Sequence, residues 1–251
     1  MKINFFILLT FILFITFSSC KKTPKDLSFT MEEMKKMGMP DCNKIWTRGD
    51  FEKGFSVLHK IKNSKPFSLP IKGSKKSGEV FDQLISRENM SFVKNDTIPM
   101  SLRARGIIQF YGTYEDIADL YKNILLKKQY YTSELIAIYI YGLDVIQNMI
   151  DLGQKINKSE DIEDIELQPG FKMIVDLYIN LLLNNLDNSK QISKYKADDI
   201  ELLSDKIYWS LNKNIDLFDD TTKEIIQEKM QTVIDSTSSQ TIKEKFDSLD
   251  F

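Results

Sequence analysis

A single histidine, His59, stands among 36 acidic and 34 basic residues, and that scarcity restricts the chemistry open to the chain. Two-histidine zinc motifs are excluded, and a Ser/His/Asp relay would hang on one imidazole. Its position beside Leu58 in a helical repeat of apolar residues assigns His59 to the surface or boundary of a helix. The segment GSKKSGEV (73–80) has the Gly-x-x-x-x-Gly spacing of a phosphate loop. Glu79 and Val80, however, stand where a lysine and a hydroxyl would reach phosphate and magnesium, so a nucleotide loop is excluded. Lys72, Lys75 and Lys76 nevertheless converge near the start of a helix that Ser77 would cap, where free backbone N–H groups favour anions. A small-anion or acidic-partner site is the first candidate there, set against a flexible lysine-rich loop.

Other arrangements carry less. Arg48-Gly49-Asp50 matches a tripeptide of cell-adhesion ligands, but Gly-Asp is an ordinary turn and cap ahead of a helix. The acidic run SEDIEDIE (159–166) has no glycine pivot and no calcium-loop spacing, which makes it a solvated linker. Paired carboxylates such as Glu32/Glu33 or Asp198/Asp199 are too common among 36 acids to nominate a general acid and base. No catalytic, cofactor or metal signature follows from the residues.

Four arginines, at positions 48, 87, 103 and 105, all fall within a stretch rich in glycine and proline. Lysine does not reproduce the planar bidentate fork of arginine, so scarce arginines mark places where geometry matters. Trp46, Arg48, Arg103 and Arg105, together with Phe67, Lys75 and Lys76, are therefore candidates for a partner-binding surface. A composition biased to Lys, Asn and Ile accounts for them equally well.

The elements that must position these residues are helices. From about 38 to 112 the chain carries seven of its ten glycines and four of its six prolines, which implies short helices joined by loops. There, DFEKGFSVLHKI places Phe51, Phe55, Leu58 and Ile61 at helical spacing behind Asp50 as cap, and SGEVFDQLI starts a second helix behind Ser77. From 113 onward nearly everything is helical. TYEDIADLYKNILLKK opens with a Thr-x-x-acid box at Thr113. The stretches at about 133–152 and 171–186 are apolar almost all round, as buried central helices are. Glu134, Asp144 and Asp151 argue against reading the first as a membrane span. Three amphipathic helices follow at about 198–212, 221–235 and 240–249. The expected fold is all-α, an irregular multi-helix bundle around 133–152 and 171–186, with α-solenoid-like helical hairpins as the alternative.

The first 20 residues are different in kind. Lys2 precedes roughly 13 apolar positions, fewer than the ~20 needed to cross a bilayer, and the proportions are those of a secretory signal. Phe17-Ser18-Ser19-Cys20 resembles the lipobox of bacterial lipoproteins. The resemblance implies that residues 1–19 are removed and that Cys20 becomes an acylated N-terminal residue. An uncleaved short anchor is the alternative. Several acyl chains would hold the protein on a membrane for long times. Lys21-Lys22-Thr23-Pro24-Lys25 carries neither an acidic cluster nor an aspartate beside Cys20, which favours the periplasmic face of an outer membrane.

Residues 20–30 then read as a tether and 31–251 as one helical domain. A net charge of −2 gives no basic excess for nucleic acid. Cys42 has no intramolecular partner besides Cys20 and is expected to be a buried thiol. Two functions stand: a membrane-anchored binding or scaffold protein, of which an immunity-type inhibitor is one version, and an envelope hydrolase with an unrecognised carboxylate site. A cleft with convergent, perturbed carboxylates favours the enzyme, and an exposed aromatic and arginine patch favours the binder.

Overall fold

The computed structural model describes residues 26–65, 67–128, 131–192 and 197–249, and every regular element among them is helical. Residues 1–25, on which the expected signal segment, Cys20 and the start of the expected tether fall, lie outside the described residues. The helices are α1 (Met31–Lys36), α2 (Arg48–Ser64), α3 (Gly78–Leu84), α4 (Met100–Lys128), α5 (Thr132–Ile156), the single turn α6 (Ile162–Ile165), α7 (Phe171–Ile192), α8 (Ala197–Asn214), α9 (Asp220–Ser236) and α10 (Gln240–Asp247). A 3₁₀ helix, Arg87–Lys94, links α3 to the loop before α4.

The expected multi-helix bundle is present, organised about α5. That helix packs against α4, α7 and α8, while α9 lies on α7 and α10 on α8. Ile138, Leu143, Val145, Ile146 and Ile150 of α5 are wholly buried, so the near-continuous apolar text of this helix reflects neighbours on several sides. By length and composition α5 could cross a membrane, with mean hydropathy 1.4, but 78% of that window is buried inside the protein. Its acids are also engaged: Asp144 pairs with Arg87 and Lys206, and Asp151 with Lys213. It is a core helix. The second central helix is less enclosed than its sequence suggests. On α7 one face, with Ile174, Tyr178, Leu181 and Leu182, is buried, while Met173 is 54% exposed.

Three local expectations are corrected. The helix expected to open at Thr113 is the second half of α4, which starts directly after Pro99, and the Thr113 hydroxyl donates to the Gln109 carbonyl inside it. Gly106 and Gly112 thus sit within a long helix, and the long-helix region begins at 100. Asp50 is not the cap of α2. Thr47 caps it, and Asp50 is the third residue of a capping box, accepting from the Thr47 N–H at 3.0 Å. Ser77 precedes α3 without capping it, because its hydroxyl accepts from the Ile71 N–H and donates to Ser28.

That last bond belongs to a larger correction: residues 26–30 are docked, not free tether. Ser28 is buried, the Phe29 N–H reaches the Ser68 carbonyl, and Thr30 caps α1 with Glu33. The loop they lie against is held from the other side by two tyrosines. Tyr121 donates to the Pro70 carbonyl, and Tyr131 accepts from the Leu69 N–H, both at 2.9 Å. Tyr131 adopts φ 65° at the α4–α5 corner, a region unusual for a bulky residue. There its ring meets Tyr121 edge to face at 5.2 Å.

Candidate functional site

The residues nominated from sequence do not form one surface. Trp46 is buried, its indole N–H donating to the Asp41 carbonyl and its ring edge to face with Phe51. Arg103 is buried as well; it donates to the Val93 carbonyl and pairs with Asp96 at 2.8 Å, fixing the turn before α4. Arg105, two positions on, is exposed. Arg48 is exposed and pairs with Glu52 one turn along α2. His59 is exposed, as expected. Cys42 is half-buried, and burial, with Glu79 and Asp41 nearby, pushes its thiol up to about 12.

The lysine-rich loop gathers an anion, but one supplied by the chain itself. Ser74 donates to Asp26, the Lys76 ammonium donates to the Asp26 carbonyl, and the Lys72 N–H donates to Glu134. Lys75 stays exposed. The loop is thus tied to Asp26 and Glu134 of the chain itself, while Lys72, Lys75 and Lys76 are all exposed. Arg87 lies elsewhere, on Asp144, whose other oxygen takes Lys206; the Lys206 ammonium sits 3.9 Å over the exposed ring of Trp209. One carboxylate thus holds two cations in this patch.

A cleft of about 910 Å³ lies between α2, α4 and α7, with Tyr139 of α5 in its wall. Local packing sets its shape. Phe51 of α2 meets Phe110 of α4 edge to face at 5.6 Å, which holds one side. Tyr114 of α4 lies flush on Gly142 of α5, where any Cβ would overlap the ring. The third side is the asparagine-bearing face of α7. Asn180 and Asn184 are one turn apart and exposed, and Asn185 beside them is 1% exposed. Among the described residues neither Nδ2 nor Oδ1 of Asn185 has a hydrogen-bond partner. Leaving such a group unpaired typically costs about 1–3 kcal/mol, so most buried amides are satisfied.

The charges in this cleft are unevenly compensated. Arg48 and Glu52 neutralise each other, and Asp187 goes to Lys229. Glu115 and Asp116 enter no ion pair among the described residues. Burial, then the nearby Asp119 and Asp116, raise the Glu115 carboxyl above its ordinary value. Burial and Glu115 raise the Tyr111 phenol to about 12, and burial raises Tyr114 further still. The cleft therefore has a negative potential. Among the described residues no histidine, cysteine or serine lines it. Among the described residues no three His, Cys, Asp or Glu side chains are grouped to hold a metal. The chemistry on offer is hydrogen bonding by carboxamides, contact with tyrosine rings, and attraction of positive charge.

Of the residues that line this cleft, the sequence nominated only Arg48 for binding; the acids of α4 and the asparagines of α7 were not singled out. A signal was present in INLLLNNL (179–186), where three asparagines interrupt a core-like helix. Asparagine is a poor helix former, and costly to bury. Comparison of the chain with known protein families, with characterised proteins and with solved structures finds no match.

Proposed function

We propose that the protein is a lipid-anchored binding module of the bacterial cell envelope that holds a segment of a protein partner in the cleft between α2, α4 and α7. The observation that carries this reading is Asn185: a buried carboxamide with two unpaired atoms in a polar concavity large enough for a ligand. The anchor would be Cys20, joined to the docked residues 26–30 by a short tether. The outer membrane's periplasmic face is the proposed location.

Two experiments bear on it. A photo-crosslinking residue at Asn184, in intact cells, is expected to capture one protein that the same residue at Met173, on α7 outside the cleft, does not. Capture from both positions alike, or from neither, would refute the binding reading. A palmitate analogue is expected to label the wild type and not Cys20→Ala; label retained in the variant would refute the lipid anchor.

A second reading has a specific observation behind it. Glu115, raised by burial and by its acidic neighbours, has the character of a general acid. It would belong to a hydrolase whose other groups come from Asp116 or Asp119. The test is turnover: activity on an envelope substrate that disappears in Glu115→Gln and follows a titration above the ordinary carboxylate range would establish the enzyme.

A further inference from the structure

Resting on the reading of the cleft as a binding site, we infer that its occupant is an extended peptide segment bearing lysine or arginine. The unpaired carboxamide of Asn185 supplies the first constraint. It offers one acceptor and one two-hydrogen donor, and both lack partners. An anion would satisfy the donor alone and would face Glu115 and Asp116; a simple cation would satisfy the acceptor alone. A peptide residue presents an N–H and a C=O side by side and satisfies both. Asn180 and Asn184, exposed on the same helix, repeat the carboxamide along the cleft.

Shape supplies the second constraint. Helix α4 lines the cleft from Gln109 to Lys122, a run of roughly 20 Å at 1.5 Å per residue. An extended chain covers that length in about six residues at ~3.3 Å each. The elongated form fits a strand-like ligand better than a compact one.

Charge supplies the third. A neutral polyol would also pair with a carboxamide, but it would cover Glu115 and Asp116 without compensating either. A lysine or arginine side chain compensates them, and Tyr111 places an aromatic ring in the same wall, where a cation is attracted to its face. The Asn185 carboxamide lies just beneath the cleft surface, so the segment must part the side chains over it. The unpaired state of that amide before binding is what makes the exchange favourable.

The test is a selection. The full chain in detergent is presented with a randomised hexapeptide library and, in parallel, with an array of neutral glycans. Enriched peptides are expected to carry lysine or arginine above library frequency. A synthetic version should bind Asn185→Leu roughly tenfold more weakly, the loss of a paired hydrogen bond. It should bind the Glu115→Gln/Asp116→Asn double variant several-fold more weakly, with a reduced salt dependence. These last substitutions are on exposed positions and leave the fold intact as a control. Enrichment without basic residues, affinity unchanged in both variants, or binding of glycans in place of peptides would overturn the inference. If crosslinking from Asn184 still captures a protein in cells, the binding reading survives that failure; if neither peptide nor protein is held, both fall.

Discussion

Ser74 donates its hydroxyl to Asp26 at 2.5 Å, joining two residues 48 positions apart and closing the lysine-rich loop over the chain's own carboxylate. The lysine-rich loop is thus tied to the segment before α1. Burial alone would raise the Asp26 carboxyl, but the Ser28 and Ser74 hydroxyls, the Ser28 N–H and Lys76 together hold it below its ordinary value.

Asp26→Ala and Ser74→Ala are each expected to destabilise the protein by about 1–2 kcal/mol, as loss of a charged hydrogen bond does. The double variant should cost less than the sum. Urea denaturation of the four proteins measures the coupling, and strict additivity would show that the contact contributes nothing.

Asn185→Leu should behave in the opposite way. Replacing an unpaired buried amide by an apolar side chain of similar size removes an uncompensated desolvation, so stability rises by about 1–2 kcal/mol. Thermal melting reads this directly. A fall in melting temperature would mean that the amide is paired in solution.

Two glycines of the α4–α5 pair separate packing from propensity. Gly142→Ala would push a Cβ into the Tyr114 ring and is expected to lose about 1–3 kcal/mol despite the better helix former. Gly112→Ala meets nothing within 4 Å and should gain up to about 1 kcal/mol. Equal effects at the two sites would contradict the close approach of α4 to α5.

The capping box of α2 carries a pH signature. Burial opposes the charge on Asp50, but Lys44 and the N–H and hydroxyl of Thr47 outweigh it and bring the carboxyl down to about 2, below its ordinary 3.8. A depressed folded value means stabilisation that is complete above about pH 4 and lost as the pH falls towards 2. Urea midpoints of wild type and Asp50→Asn should therefore differ at pH 6, draw closer as the pH falls below 4 and converge only below about pH 2, and a gap that does not narrow between pH 4 and pH 2 would exclude this origin.

Helix existence was legible because its cause is local. The apolar repeats at 133–152 and at the three C-terminal helices were placed to within a few residues, and their caps lie in the same short windows. Errors arose where a local signal had two meanings. Thr113 with Asp116 has the form of a helix start, yet packing against α5 and the 3₁₀ segment carries α4 straight through it from Pro99. Trp46 and Arg103 were chosen because such side chains serve recognition, but the same size and the same donors also suit a buried corner and a buried turn.

The chain by itself determined that this is an all-helical protein, and it carries the lipobox-like start, since periodicity and short motifs are written in neighbouring residues. Tertiary structure alone decided the candidate site. Gln109 to Lys122, Asn180 to Asn185 and Arg48 to Phe55 become one cleft only when three helices distant in sequence are brought together. That approach depends on a ring seated against a bare glycine and on which face of α7 turns inward. Such contacts depend on the distance between side chains in space, and nothing in their separation along the chain records it.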